Sequence, residues 1–192
     1  AIPGLLVLLA IPFGLYFAAD PAVYPPVDET TGGPTGASLL NSTLSVVFLL
    51  LLVPRALRNP PKSPKLDRTL WTVFILNFAL GLYAETLPPS HHHPGQIASL
   101  ATLLIWPLLL PFYYSRQNWK NPHPRWQRAL FFWFGILVIN GVISFLPGIL
   151  DHLKFSDALV AHSHLAMTGF TTSFLIFILQ QILPPSRSAT FN

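Results

Sequence analysis

The sequence predicts an all-α integral membrane protein, built as a bundle of six transmembrane helices. Of its 192 residues, 52% are hydrophobic and only 9% are charged, whereas soluble domains carry about 25% charged residues. Six apolar segments are separated by clusters of proline and polar residues, and each is near the roughly 20 residues that a spanning helix needs. These segments form a single transmembrane domain over residues 1–192 and cover about 1–19, 38–57, 69–88, 96–114, 128–149 and 157–183.

The first segment is interpreted as a span rather than a signal peptide, because residues 1–18 contain no basic region and no clear small-residue cleavage site. Its connection to the second span, 20–37, is the longest, and its prolines predict a stiff cap. The later spans are bounded by connections such as RNPPKSPKLDR, PPSHHHPG and SRQNWKNPHPRWQR. The residue pattern therefore alternates between apolar helices and short polar loops along the whole chain.

Basic residues predict the orientation of the bundle. If all six segments span, ten of the 11 Lys and Arg residues lie on one side of the membrane, and only Lys154 lies on the other. Such an excess marks the cytoplasmic side. We therefore expect the basic loops in the cytoplasm of a bacterial inner membrane, and we attribute the net charge of +4 to topology rather than to nucleic acid. The ten residues are Arg55, Arg58, Lys62, Lys65, Arg68, Arg116, Lys120, Arg125, Arg128 and Arg187.

Polar residues inside the spans are expected to face neighbouring helices, because lipid cannot satisfy their hydrogen bonds. Spacing by four puts related residues on one helical face. The three stripes are Asn77, Gly81 and Glu85; Asn140 and Ser144; and the hydroxyl group Thr168, Thr171, Thr172 and Ser173. Helix packing is a sufficient explanation for each stripe, although Glu85 is also expected to point into protein or toward the histidines described next.

Six of the seven histidines are predicted at the outer membrane face. Imidazole is the commonest metal ligand among side chains, so this face is a candidate metal or haem site. A short histidine tract in a loop can bind copper or zinc, and an adjacent carboxylate can support a ligand. The candidate metal ligands are His91, His92, His93 and His152, the candidate cofactor ligands are His162 and His164, and the supporting carboxylates are Glu85, Asp151 and Asp157.

The pair His162 and His164 occupies the first turns of the sixth predicted span. Residues two apart on a helix are separated by about 200°, so the two imidazoles cannot chelate one ion from a regular helix. They can ligate two centres on opposite flanks, or one can be a ligand while the other is a packing residue. We expect Ser156 or Asp157 to cap this helix and fix the depth of the histidines.

The stretch AHSHLAMTGF resembles the histidine-x-histidine helix of haem–copper oxidase subunit I, especially its form in nitric oxide reductases. In that superfamily the two histidines bind two haems on opposite flanks of the helix, toward the outer side of the membrane. The resemblance implies that His162 and His164 are axial ligands of two haems. It covers about 10–15 residues, and this sequence lacks the superfamily's copper-binding histidine pair and half of its spans, which implies a reduced relative without an oxygen-reducing copper centre.

Three functions remain open on the sequence. The first is a membrane subunit of a respiratory-type electron-transfer complex that binds haem and faces quinone. The second is a cofactor-free accessory subunit that packs against other membrane subunits in the bilayer, and the third is an outward-facing copper- or zinc-binding protein. No complete catalytic constellation is present: the chain has no HExxH motif and no cysteine. It is at most a subunit of an oxidoreductase.

Overall fold

The computed structural model describes residues 35–57, 62–119, 124–153 and 157–183, and regular secondary structure in these ranges is helical. The first predicted span, 1–19, lies outside the described residues. The elements are α1 (Gly36–Ala56), α2 (Pro64–Ala84), α3 (Pro94–Ala101), a 3₁₀ turn (Thr102–Ile105), α4 (Trp106–Ser115), α5 (Pro124–Ser144), α6 (Ile149–Leu153), α7 (Ala158–His164), a π-helix (Leu165–Thr171) and α8 (Thr172–Ile182).

Four helical segments in the described ranges are long and apolar enough to cross a membrane: Gly36–Ala56, Pro94–Ser115, Pro124–Ser144 and Val160–Ile182. They fit an integral membrane protein and agree with four of the predicted spans. Helix α2 has 21 residues, like α1 and α5, but Lys65, Asp67 and Arg68 near its start lower its hydropathy. The predicted count of six spans is therefore not confirmed.

Three helices begin at polar caps that the sequence supplies. Thr35 Oγ1 accepts the amide of Ser38 at 3.1 Å at the start of α1. Ser63 and His93 cap α2 and α3 in the same way, and each is followed by a proline at the first helical position. Proline suits this position because its missing N–H would have no helical partner there. The loop residue His93 is thus a helix cap.

Consecutive long helices run antiparallel. At each end of the bundle one buried polar side chain is hydrogen-bonded to two other helices. At one end, Gln96 is buried; its Oε1 accepts the amide of Ala37 at 2.8 Å, and its Nε2 donates to the carbonyl of Ala84 at 3.0 Å. At the other end, Asp67 accepts bonds from Arg55 at 2.6 Å and from the Tyr113 hydroxyl at 2.8 Å. We call these the Gln96 end and the Asp67 end.

An aromatic core lies between the two ends, with Trp106, Tyr113, Tyr114, Phe134 and Phe177 among its fully buried side chains. By contrast, large apolar side chains are exposed on the outer surface, including Leu76, Leu108 and Met167. Apolar helices with such a surface indicate contact with the lipid bilayer.

Tyr114 also replaces a backbone hydrogen bond that α1 lacks. Pro54 lies inside α1 and has no N–H, so the carbonyl of Leu50, four residues earlier, loses its helical partner. The hydroxyl of Tyr114 donates to that carbonyl at 2.8 Å, and both Tyr114 and Leu50 are buried. The side chain from α4 thereby satisfies a backbone group that lipid could not satisfy.

The predicted hydroxyl stripe of the last span is only partly correct. Thr171 Oγ1 donates to the carbonyl of Ala166 at 2.9 Å, and Thr172 Oγ1 donates to that of Met167 at 3.3 Å, so both bond to their own helix instead of a neighbour. These acceptors are five residues back because the chain is wound as a π-helix, which leaves its carbonyls accessible. Ser173 is the member of the stripe that is buried against the bundle.

Candidate cofactor site

Helix α7 carries the HSH sequence and enters the bundle from the Gln96 end. Asp157 occupies the N-cap position, and its carbonyl accepts the amide of Ala161 at 2.8 Å. Within the described residues the Asp157 side chain makes no capping bond, and Ser156 lies outside those residues. The predicted side-chain cap is therefore wrong for Asp157, and the start of the helix depends on its backbone hydrogen bond.

His162 faces the bundle and has a side-chain partner on α5. Its Nδ1 lies 2.7 Å from Oδ1 of Asn140. An amide oxygen can only accept, so Nδ1 carries the proton and Nε2 presents a lone pair. The next residue of α5 is Gly141, where a Cβ atom would lie 3.3 Å from Cε1 of His162. The absence of a side chain at this position lets the imidazole approach α5 closely.

His164 lies on another flank and is fixed by its own helix. Its Nδ1 lies 2.8 Å from the carbonyl oxygen of Val160, one turn earlier. A carbonyl oxygen is purely an acceptor, so Nδ1 carries the proton here as well and Nε2 is available as a ligand atom. Metal-bound histidines commonly donate their second ring nitrogen to an oxygen in this manner, which fixes the tautomer and the ring orientation. Both histidines therefore have the protonation pattern of a ligand.

The two histidines line different pockets, in agreement with the predicted opposite flanks. His164 lines an open groove of about 680 Å³ together with Trp133, Asp157, Thr168 and Gly169. At Gly169 a Cβ atom would lie 2.5 Å from the Trp133 ring, so the glycine lets the indole lie flat against the π-helix. This volume is within the roughly 300–1,000 Å³ of sites that hold small molecules and cofactors.

The pocket on the His162 flank is smaller, at about 220 Å³. It lies between α1, α3 with its 3₁₀ turn, α5 and the start of the last span, and most of its lining is apolar. A haem is larger than the drug-sized molecules that need roughly 300 Å³ or more. The pocket beside His162 is therefore too small for a haem in this arrangement, whereas the groove beside His164 is large enough.

The loop histidines His91, His92 and His93 take part in ring packing or in helix capping. His91 is fully buried, and its ring centroid lies 4.1 Å from that of His92 and 6.2 Å from that of Phe145. His93 Nδ1 accepts the amide of Gly95 at 3.1 Å as the cap of α3. In the part of the chain that the structure describes, no three His, Cys, Asp or Glu side chains come together to hold a metal ion.

The other predicted site residues are spread along the Gln96 end. His152 is exposed on the short helix α6, which also contains Asp151. Glu85 is exposed, and its Oε1 accepts the side-chain amide of Asn41 on α1 at 3.0 Å. Its carboxylate is thus turned toward a neighbouring helix, and no described contact joins it to the histidines. Asp157 is the one supporting carboxylate that shares a pocket with a predicted ligand, His164, among the described residues.

The rest of the α2 stripe behaves as predicted. Asn77 donates to Thr102 Oγ1 at 2.6 Å and accepts the indole N–H of Trp106 at 2.9 Å. Gly81 packs directly against the side chain of Asn41. Asn77 and Gly81 therefore pack neighbouring helices together, as expected for a polar stripe inside a span.

Sequence reasoning placed Asn140 on a polar stripe but missed its pairing with His162. The usable signal was a lone asparagine in an apolar span, because such a residue needs a polar partner inside the protein. The spacing of residues on one helix could not identify that partner, which lies on another helix.

Comparisons with known proteins add no relative. No family model matches the chain, and neither a curated protein nor a solved structure matches it. The fold and the site define a helical protein with four helices able to cross a membrane and with two oriented imidazoles on one of them, among the residues that the structure describes.

Proposed function

We propose that this chain is a membrane subunit of a respiratory-type electron-transfer complex and that it binds a haem through His164. The observation that carries the proposal is the orientation of His164: Nδ1 bonds to the Val160 carbonyl at 2.8 Å, and the ring lines a groove of about 680 Å³. An imidazole with its tautomer fixed and a large groove beside it is suited to an axial ligand. The resemblance of AHSHLAMTGF to the haem-binding helix supports the same residue.

Haem, when bound, supplies one-electron transfer to and from its iron. The groove residues would hold it in place. The indole of Trp133 offers an apolar face, and the lining is otherwise mostly small or aliphatic, which would suit the hydrocarbon surface of a porphyrin. His164 supplies the lone pair of Nε2, and the Val160 carbonyl keeps the proton on Nδ1.

The composition of the groove and the exposure around it also favour a partner subunit. Among the described residues that line it, His164 is the only imidazole, and any further protein ligand to a bound haem would come from outside the groove. Only 28% of the most apolar stretch is buried in each of the last two spans, Pro124–Ser144 and Val160–Ile182. We propose that another membrane subunit covers part of this surface, with the basic loops in the cytoplasm and quinone as a redox partner of the complex.

The test is the visible spectrum of the full chain, purified in mild detergent with the subunits that remain bound. We expect a Soret band in the native protein, its loss in His164→Ala, and its retention in His152→Ala, because His152 is an exposed histidine outside the groove. His162→Ala should also retain haem, since its pocket is too small for a haem. Absence of the band in the native protein, or an unchanged band in His164→Ala, refutes the proposal.

A cofactor-free accessory subunit is the second candidate. The internal pairing of membrane-depth polar groups favours it: Asn77 bonds to Thr102 and Trp106, and His162 bonds to Asn140, without any cofactor. In that case the native protein co-purifies with its partners and has no Soret band. An outward-facing copper or zinc site gains no support from the described residues, because the loop histidines are used in packing and capping.

A further inference from the structure

The pocket on the His162 flank differs from the groove beside His164 in size and in lining. Its walls are apolar and come from three long helical segments, with Leu39 and Val46 on α1, Leu100 and Leu103 around the 3₁₀ turn, and Phe134 and Leu137 on α5. Its volume is about 220 Å³. A smaller apolar cavity, of about 150 Å³, is enough to bind benzene. One substituted six-membered ring therefore fits this pocket.

Three polar side chains line the pocket: His162, Ser42 and Thr43. Nε2 of His162 presents a lone pair, because Asn140 holds the proton on Nδ1. Ser42 also lines the pocket, and its hydroxyl proton is already donated to the Leu39 carbonyl at 3.0 Å, which leaves its oxygen as an acceptor. The Thr43 hydroxyl can donate or accept, so the imidazole is the group that selects a ligand with a hydrogen-bond donor, and the apolar walls select a ligand that is otherwise largely apolar. Ser42 is exposed, so the pocket is reached from the surface of α1.

We propose that this pocket binds the ring of a phenol or hydroquinone, with the ring hydroxyl donating to Nε2 of His162. The aromatic ring packs against Phe134 and the aliphatic walls, and the hydroxyl satisfies the imidazole. Asn140 is a positioning residue: it does not touch the ligand and acts by keeping Nε2 an acceptor. Gly141 is a second positioning residue, since a Cβ atom there would lie 3.3 Å from Cε1 of His162 and the imidazole would have to shift by a few tenths of an ångström.

This site does not depend on haem. It lies on the opposite flank from His164, and the two pockets share no lining residue among those described. If haem is absent but the ring binds, the proposed function fails and this inference stands. If haem binds at His164 but the ring does not bind, the reverse holds.

The experiment compares two probes on the full chain in detergent: a short-chain alkyl hydroquinone and its dimethyl ether, which has the same ring without a donor. Titration calorimetry gives both affinities. We expect the hydroquinone to bind about tenfold more tightly, the effect of one buried hydrogen bond. Asn140→Leu should abolish this preference, and Asn140→Asp should keep it because a carboxylate also accepts from Nδ1. His152→Gln, at an exposed histidine that lines neither pocket, should leave the preference unchanged.

A second measurement keeps the test decisive if a variant fails to fold. In ¹⁵N-histidine-labelled native protein, hydroquinone should shift the Nε2 resonance of His162, while the dimethyl ether should not. Equal affinities for the two probes indicate a merely apolar pocket, of the kind that a lipid chain could fill, and overturn the proposal. A hydroquinone preference that survives in His162→Leu, which has no acceptor, also overturns it, as does an unshifted His162 resonance with bound hydroquinone.

Discussion

The bond between Tyr114 and Leu50 predicts a stability effect that depends on a proline. In Tyr114→Phe the ring stays in the core, but the Leu50 carbonyl loses its donor, because Pro54 cannot supply one. Tyr114 is 0% exposed, so water cannot take the place of the hydroxyl. An unsatisfied buried group costs about 1–3 kcal/mol, and we expect Tyr114→Phe to lower the free energy of unfolding by that amount.

The proline makes the prediction specific. In Pro54→Ala the new amide at position 54 can bond to the Leu50 carbonyl in the ordinary helical pattern. The carbonyl then has a donor with or without the tyrosine hydroxyl. Tyr114→Phe should therefore cost much less in the Pro54→Ala background, with a coupling energy of about 1 kcal/mol or more between the two sites.

The assay is reversible unfolding in mixed detergent micelles, followed by circular dichroism, on the four proteins of the double-mutant cycle. Tyr113→Phe is the matched control: it loses a hydroxyl bond of the same length, 2.8 Å, but its acceptor is Asp67. Its effect should be the same in the native and the Pro54→Ala backgrounds. Additive effects of Tyr114→Phe and Pro54→Ala would refute the idea that the hydroxyl compensates for the proline.

Two further predictions concern packing and orientation. Gly169→Ala should destabilise the protein by about 1–3 kcal/mol, because its Cβ would lie 2.5 Å from Trp133. Gly135→Ala, whose Cβ would lie 3.9 Å from its nearest neighbour, should be neutral or stabilising in the same unfolding assay. The native chain has no cysteine, so single cysteines report topology: an impermeant thiol reagent added outside intact cells should label Thr86→Cys and not Lys62→Cys, and the opposite result would invert the orientation.

Helix positions could be predicted from hydropathy, but helix ends could not. The predicted span 38–57 matches Gly36–Ala56 closely, since the apolar run and the helix coincide there. The predicted span 128–149 is instead Pro124–Ser144. The helix begins with Pro124 and includes Arg125, both of which the apolar prediction excluded, and it stops before Gly148, which has a φ of 80°. Capping and turn residues decide these limits, while hydropathy reports only the apolar length.

The residues of the candidate site could be predicted from the sequence, but the side chains that surround them could not. Spacing alone gave His162 and His164 different flanks, because a helix fixes the angle between residues two apart. The surroundings depend on the register between helices. The pairing of Asn140 with His162 and the burial of His91 against Phe145 both follow from how α5 lies beside its neighbours. A single sequence contains no direct record of that register.

The π-helix links the sequence of the last span to the shape of the His162 pocket. In an α-helix, residues four apart drift by about 40° around the axis, so two such steps turn a side chain well away from its starting face. The wider π turn reduces that drift. Here His162 and Ala166 line the same pocket, and Phe170 packs against Phe134 of its wall with ring centroids 5.7 Å apart. The hydroxyls of Thr171 and Thr172 also donate to carbonyls of this segment, so they need no partner on another helix. The π turn thus keeps the wall of the pocket on the same face as the imidazole, with its own polar groups paired inside the helix.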